Sequence, residues 1–485
     1  MEIRVIGIAL NEDNFEYDIY SLVKAFYPGE EVARTSGGCD GITVRVEYQP
    51  AAITVALEEA AKEDSLAADT ISETVSTEGL ERRETKSALK RALYRLLSEK
   101  TGRVLPWGTL TGIRPTKIPF AMLEEGKTEK EIAAYMSEVY LAGEEKTALS
   151  IEIAKREQEI LRNIDYQDGY SLYVGIPFCP TRCLYCSFPS YPLKIWEKQA
   201  DAYVEALCKE LCFMAEKMKQ RKLNTVYIGG GTPTTLSPQQ LDRLLTVLEE
   251  SFDFSNNQEF TVEAGRPDSI TEEKLLALKK HRVSRISVNP QTMNQKTLDI
   301  IGRKHTVEQT REAFYLARDC GFDNINMDLI SGLPGENRED MEDTMQEIAR
   351  LKPDSVTVHA LAIKRASRLK ELWEQYKNQT GALDEETARM MEQYTRQMGL
   401  VPYYLYRQKN MAGNLENVGY ARLDKAGIYN ILIMEEKQTI VACGAGAMTK
   451  LVYDGGERIE RIENVKDVGQ YISRIDEMIE RKRKI

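Results

Sequence analysis

The chain has 485 residues, 42% apolar and 29% charged, with 65 Lys and Arg against 76 Asp and Glu, a net charge of −11. That length suits about three domains and a sizeable core that needs no disulfides. The acidic balance argues against a general polyphosphate binder, so no nucleic-acid partner is expected, and no apolar run approaches the roughly 20 residues that a membrane-spanning helix needs. The opening Met1-Glu2-Ile3-Arg4 leads into no secretory pattern, so a cytoplasmic residence is expected.

Four regions differ in texture. In residues 1–85, EIRVIGIAL and GITVRVEY read as strands and FEYDIYSLVKAF has helical spacing, a small α/β module. Its last part, 63–85, is polar and acidic and reads as a linker. Residues 86–165 read as helical: KSALKRALYRLLSEKTG ends at Gly102, a C-cap, before a turn at Pro106-Trp107-Gly108. Trp107 and the following GIRPT suit either a packed connection or a substrate-facing loop.

From 166 to 385 strands and helices alternate. SLYVGI, TVYIGGG, EFTVEA, RISVN, NINMDLI and SVTVHAL are the strands, and helical patterns separate them. Such alternation implies right-handed crossovers and a parallel sheet, either a partial barrel or an open doubly wound sheet. The tail, 386–485, is mixed; AGIYNILIMEE and QTIVACGAGAM read as a hairpin-like pair, and the terminal RKRKI as a solvated end.

The strongest chemical signal is Cys179-x-x-x-Cys183-x-x-Cys186, directly after the first strand of the repeating unit. Active sites of parallel barrels lie at the carboxyl ends of strands. Three thiolates can hold three irons of a four-iron cluster, leaving the fourth open for chemistry. The alternatives are a zinc site, for which no fourth His or Cys lies nearby, and three ordinary buried thiols. Gly229-Gly230-Gly231-Thr232-Pro233-Thr234 ends the next strand. Consecutive glycines allow a close backbone approach to a ligand, but the spacing is not that of a phosphate loop. Glu263, Gln291 and Asp328 are polar residues at later strand ends. Each could bind a cofactor amine or ribose, or could be a helix cap or loop ion pair. Of the remaining cysteines, Cys208 and Cys212 share a helix face with Leu207 and Leu211 and read as core, Cys39 and Cys320 carry no pattern, and Cys443 lies in a glycine-flanked stretch of the tail.

Together these residues resemble the radical S-adenosylmethionine (radical SAM) superfamily, and more closely its HemN-like family of oxygen-independent coproporphyrinogen III dehydrogenases. The matching text is LYVGIPFCPTRCLYC, YIGGGTPT, FTVEAGRPD, RISVNPQTMN, IGRKHT, NMDLISGLPGE and LKPDSVTVHAL, over roughly 170–365. The tail YYLYRQKNMAGNLENVGYA is similar to that family's C-terminal domain, and the first 165 residues, with LTGIRPTK, look like the extension of its HemZ branch. The resemblance implies a partial (β/α)6 barrel with an N-terminal α/β and helical extension and a C-terminal α+β domain. It implies a [4Fe-4S] cluster on Cys179, Cys183 and Cys186, and S-adenosyl-L-methionine. It places Tyr173, Tyr185, Gly230, Gly231, Thr232, Glu263, Gln291, Arg303, Asp328 and Ala362 around one or two cofactor molecules, with Tyr173, Glu263 and Asp328 taking part in catalysis. Phe188 and Gly175 stand where family members with coproporphyrinogen chemistry carry a fourth cysteine and a histidine.

The reaction so implied is oxidative decarboxylation of coproporphyrinogen III propionates to vinyl groups, in haem biosynthesis. A low-potential electron donor such as flavodoxin or ferredoxin would supply the cluster. Basic residues should meet the acidic tetrapyrrole, with Arg114, Lys117, Arg407 and Lys409 as candidates. The alternatives are a haem chaperone, for which His305 is the best placed of His281, His305 and His359 as an iron ligand, and radical methylation with opening of the haem ring.

Overall fold

The computed structural model describes residues 5–28, 30–39, 41–60, 70–112, 114–380, 384–408 and 415–485. The chain forms two compact units, Met1–Glu152 with Arg407–Asn410, and Ile153–Tyr406 with Met411–Ile485.

The first unit holds a five-stranded sheet in the order β2-β1-β3-β4-β5. Its strands are β1 (Val5–Leu10), β2 (Glu31–Arg34), β3 (Ile42–Gln49), β4 (Ala52–Glu59) and β5 (Thr70–Ser76). Helices α1 (Glu16–Phe26) and α2 (Arg82–Thr101) cover it. The buried face is aliphatic: Ile6, Ile8, Val44, Val46, Val55 and Leu57 pack with Leu22, Phe26, Leu89 and Leu93. A fully buried side chain of this kind contributes ~1.5–3 kcal/mol. A capping box of Glu81 and Glu84 starts α2, and Gly102, at φ +65°, ends it as its spacing predicts. Residues 70–76, read from sequence as part of a linker, are instead an edge strand paired antiparallel with β4. Its alternating exposure is that of a half-covered edge, and its polar residues disguised the period. Residues 61–69 lie outside the described residues.

Three more helices follow: α3 (Lys117–Glu124), α4 (Glu129–Tyr140) and α5 (Glu144–Leu161). Trp107 is fully buried, which favours the packed connection over a substrate-facing loop. Gly108 beside it has φ +54°, and a Cβ there would fall 2.1 Å from the Tyr140 carbonyl oxygen. Only glycine fits that approach.

The second unit is built on an eleven-stranded sheet. Its centre is β6 (Gly169–Ile176), β9 (Lys222–Gly230), β10 (Glu259–Gly265), β11 (Arg285–Val288), β12 (Ile325–Ser331) and β13 (Ser355–Ala360), each beside the next and all parallel. Between β6 and β9 lie the short strands β7 (Phe178–Cys179) and β8 (Tyr191–Pro192), then α6 (Leu193–Trp196) and α7 (Ala200–Met218). The later crossovers carry α8 (Pro238–Ser251), α9 (Glu272–Lys280), α10 (Gln295–Ile300), α11 (Val307–Asp319) and α12 (Arg338–Leu351). Ser237 with Gln240, Thr306 with Gln309 and Asn337 with Asp340 form capping boxes that start α8, α11 and α12. This is the partial (β/α)6 barrel: sequential parallel neighbours, with β6 and β13 not paired to each other.

After β13 come two one-turn helices, α13 (Arg368–Glu371) and α14 (Trp373–Tyr376), then α15 (Glu385–Gln397), β14 (Val401–Tyr406), β15 (Asn417–Ala421), α16 (Ile428–Glu435), β16 (Thr439–Cys443), β17 (Met448–Tyr453), β18 (Arg458–Glu463), α17 (Val468–Ser473) and α18 (Ile475–Arg481). β15 extends the β13 edge antiparallel, and β16 extends the β6 edge parallel. The expected hairpin of AGIYNILIMEE and QTIVACGAGAM does not form. Residues 428–435 are helical, with Ile431, Leu432 and Glu435 buried at helical spacing. A short, mostly apolar run does not distinguish strand from helix by period.

The terminal basic run is not simply solvated either. Lys482 is fully buried, and its ammonium lies 2.5 Å from Glu210 on α7. Glu210 also accepts hydrogen bonds from Gly444 N–H, Tyr471 Oη and Asn464 Nδ2. A buried charge needs such partners. Cys208 is buried as expected, but Cys212 is exposed and is not part of the core. Among the described residues, no helix is long and apolar enough to cross a membrane.

Candidate active site

The parallel strands are buried along nearly their whole length, as a barrel wall covered by helices outside and filled by side chains inside requires. In the interior of five of them one residue departs from this: Tyr173, Tyr227, Glu263, Asp328 and His359 are only partly buried between buried neighbours. Tyr173 pairs in register with Tyr227. These side chains form two groups in contact, and Asp328 of the second acts electrostatically on Glu263 of the first. Tyr227 Oη donates to Glu263 Oε1 at 2.5 Å. His359 Nε2 lies 3.9 Å from Asp328 Oδ1, and Tyr406 Oη lies 3.2 Å from His359 Nδ1. Tyr173 and Tyr429 both stack near Tyr227, with centroids at 6.3 Å and 4.4 Å.

Two carboxylates in this set are pushed apart in acidity. Burial raises Glu263 to about 7, against the donations from Tyr227 and the Gly230 N–H, with Asp328 adding to the rise. Burial would also raise Asp328, but His359, Asn326 and Thr357 hold it below the ordinary carboxylate value. Near neutrality Glu263 is thus divided between its acid and anion, while Asp328 is ionised. Such a divergence is typical of groups that handle protons.

The three cysteines follow β6 directly. Cys179 sits in β7, paired with Pro192 of β8. The loop is tied to its neighbours by backbone bonds from Leu184 N–H to Ile301 O and from Leu369 N–H to Leu184 O. Arg182 donates to Ala366 O, and Arg266 to Thr181 Oγ1. All three thiols are free. Thr232 Oγ1 lies 3.6 Å from Cys179 Sγ, and Arg266 Nη1 lies 3.8 Å from Cys183 Sγ. Among the described residues, no three His, Cys, Asp or Glu side chains converge as one metal ion would require. A four-iron cluster asks instead for one thiolate on each of three separate irons. A loop of three free thiols, with a hydroxyl and a guanidinium turned to the sulfurs, fits that donor set.

The glycine run serves the cysteine loop first. Gly231 and Thr232 donate their N–H groups to Ile176 O and Phe178 O, each at 2.7 Å. A Cβ on Gly231 would lie 2.5 Å from Phe178 O. With the Gly230 N–H given to Glu263, the carbonyl oxygens are what this turn offers a ligand, and carbonyls suit an ammonium group.

The other expected residues group nearby. Gln291 has φ +70°, a left-handed backbone that is strained for glutamine, and it is held there by backbone bonds to Asp328 and Ile330. Arg303 is buried, donating to Asn289 O and, at 3.4 Å, to Tyr185 Oη. Ala362 lies just beyond β13. Of the basic candidates, Arg407 is buried, donating at 2.6 Å to Leu110 O and lying over the Trp107 ring. Arg114 and Lys117 are partly buried, and Lys409 lies outside the described residues. His305 is fully buried, its ring nitrogens lack a hydrogen-bond partner, and its pKa is pushed down to about 3, first by burial and then by Arg303. It offers no open face to a haem iron.

The sequence reading passed over Tyr227, Tyr429 and Arg266, and weighed His359 only as a haem ligand. Tyr227 and His359 carried a signal. Each strand reads as one polar or tyrosyl residue between two apolar ones: Leu-Tyr173-Val, Val-Tyr227-Ile, Val-Glu263-Ala, Met-Asp328-Leu and Val-His359-Ala.

Comparison with known proteins shows the family. The radical SAM superfamily matches residues 173–348. The chain is 42% identical over 407 residues, 82% of its own length and 81% of the relative's, to the oxygen-independent coproporphyrinogen-III oxidase-like protein HemZ of Bacillus subtilis. It belongs to the HemZ family of radical SAM proteins. A HemZ-family chain therefore uses a [4Fe-4S] cluster and S-adenosyl-L-methionine, the cofactors of its superfamily. It is also 39% identical over 198 residues to the haem chaperone HemW of Lactococcus lactis, 41% of this chain and 50% of that one. To the oxygen-independent coproporphyrinogen III oxidase of Salmonella typhimurium it is 34% identical over 188 residues, 39% and 41% of the two chains. The solved structure of HemN from Escherichia coli overlaps 66% of this chain and 73% of that one, at 24% identity and a TM-score of 0.45.

Proposed function

We propose that this protein oxidatively decarboxylates two propionate side chains of coproporphyrinogen III to vinyl groups, giving protoporphyrinogen IX. The observation that carries this is the reach of the HemZ likeness. It runs over 82% of the chain, whereas the likeness to HemW covers 41%. Each propionate would lose CO₂, one hydrogen atom and one electron.

Cys179, Cys183 and Cys186 would hold the cluster, with Arg266 and Thr232 donating to sulfur. The carbonyls of the glycine turn would take the amino group of S-adenosylmethionine. When bound, cluster and cofactor together supply a carbon-centred radical able to remove hydrogen from the propionate β-carbon. The chain's own part is position, dryness and charge. The Tyr173, Tyr227 and Tyr429 rings wall the site against water. Glu263 can hold or release a proton near neutral pH. Asp328, fixed by Asn326 at 2.7 Å and facing His359, keeps a defined negative charge that would orient a hydroxyl or cationic group. A low-potential donor, of the flavodoxin or ferredoxin kind, would reduce the cluster.

The test is anaerobic turnover of the reconstituted protein with coproporphyrinogen III, an electron acceptor and a mass-spectrometric readout. Loss of two CO₂ and four hydrogens is expected, with deoxyadenosine formed. Bound haem without turnover would favour the chaperone reading, and a linear tetrapyrrole would favour ring opening.

A further inference from the structure

Arg266 follows β10 directly and is only 3% exposed. A guanidinium so deeply placed must find partners for its charge and its N–H groups. Asp268 takes one edge of it: Nε donates to Oδ1 at 2.9 Å and Nη2 to Oδ2 at 2.7 Å. This two-point contact fixes the plane of the guanidinium. Nη1, on the other edge, faces the cysteine loop, 3.0 Å from Thr181 Oγ1 and 3.8 Å from Cys183 Sγ. Thr181 Oγ1 itself donates to Gly302 O at 3.1 Å, so the loop is held on both sides of that hydroxyl. The thiols are not treated alike. Cys179 faces a neutral donor, the Thr232 hydroxyl at 3.6 Å, whereas Cys183 faces a charged one that a carboxylate holds in place.

Stability alone is a poor reason for this arrangement. A buried ion pair repays little more than its desolvation, and apolar residues of the same volume would join the turn to the loop as well. Its effect on a sulfur that ligates iron is different. Uptake of one electron makes a four-iron cluster one charge more negative, and part of that charge falls on the sulfurs. An N–H aimed at a ligand sulfur therefore stabilises the reduced state more than the oxidised one, and does so more strongly where water is excluded. We propose that Arg266 sets the reduction potential of the cluster, raising it through its N–H on the Cys183 sulfur. This rests on the reading of Cys179, Cys183 and Cys186 as cluster ligands. Arg266 acts through Cys183 and is a positioning residue, with Asp268 holding it in its orientation.

The experiment is a redox titration of the reconstituted full chain, wild type beside R266M, R266M/D268N and T232V. Dithionite supplies the electron, mediators hold the potential, and paramagnetic resonance counts the reduced cluster per bound iron. In R266M the ratio of reduced to oxidised cluster at a fixed potential should fall roughly tenfold, a shift of ~59 mV to more negative potential for one electron. The double variant, which leaves no carboxylate without its partner, should shift the same way by less, because Asp268 opposes Arg266. T232V, which removes a neutral donor, should shift less than R266M. Where R266M takes up no iron, the double variant decides. Wild-type potentials in the Arg266 variants at full iron content overturn the proposal. So does a shift to more positive potential, or a larger shift in T232V than in R266M. If neither Arg266 variant takes up iron while wild type does, Arg266 only builds the loop, and the proposal is likewise overturned. A wild-type chain that takes up no iron overturns the cysteine assignment itself, and the iron analysis distinguishes that failure from the others.

Discussion

The five-stranded sheet of the first unit and the parallel strands of the second bury different kinds of residue. On the first, the covered face is aliphatic, from Ile6 and Ile8 to Val55 and Leu57, and it meets aliphatic residues of α1 and α2. On the second, five strands with buried interiors each carry one partly buried Tyr, Glu, Asp or His between buried neighbours. The first pattern serves packing. The second gives up packing for polar groups that must find partners, and those partners form the candidate site. A polar residue on a doubly covered strand is therefore informative in a way that an aliphatic one is not.

The comparison can be broken by substitutions on each side. The largest effect is expected at the cysteines. Cys183→Ala should abolish iron uptake and turnover, while circular dichroism stays close to wild type; full iron content in the variant would sink the ligand assignment. Next come the lumen carboxyls. Glu263→Gln and Asp328→Asn should each lower kcat by roughly 10²- to 10⁴-fold at unchanged iron content. A loss confined to stability would reduce them to packing residues. On the other side, Leu93→Ala in α2 should destabilise the first unit by ~2–5 kcal/mol in urea unfolding. Turnover per bound cluster, measured in the cold, should not change.

The smallest effect concerns Glu336, buried in the loop after β12, where Thr292 Oγ1 lies 2.5 Å from its Oε1. Burial raises its pKa from 4.5 to about 7, against donations from Thr292 and Thr297. The folded state then binds more protons than the unfolded state between those values, so this group's contribution to stability declines as pH rises from about 4.5 to 7. Glu336→Gln should shrink the difference in stability between pH 5 and pH 8 by ~1–2 kcal/mol. Parallel pH profiles for wild type and variant would contradict this.

Much of the barrel was legible because its signals are local. Glycines and apolar runs mark strand ends, Ser, Thr and Asn mark helix starts, and the cysteine spacing is unmistakable beside a strand end. What stayed hidden depends on contacts distant in sequence. Lys482 looks like a solvated tail until Glu210, 272 residues away, is placed against it. The helix at 428–435 looks like a strand because a buried apolar run has no distinguishing period. The edge strand at 70–76 looks like a linker because half of it faces solvent. Within the site, Glu263 and Asp328 were read from their strand ends, but Tyr227 and His359 needed the side-chain contacts that bring them to those carboxylates.

The most direct measurement is the anaerobic turnover of wild type with coproporphyrinogen III and S-adenosylmethionine. Protoporphyrinogen IX with deoxyadenosine is the expected result, in a chain with Phe188 and Gly175 at the two departing positions. Deoxyadenosine with the tetrapyrrole unchanged would keep the radical site and contradict the proposed substrate.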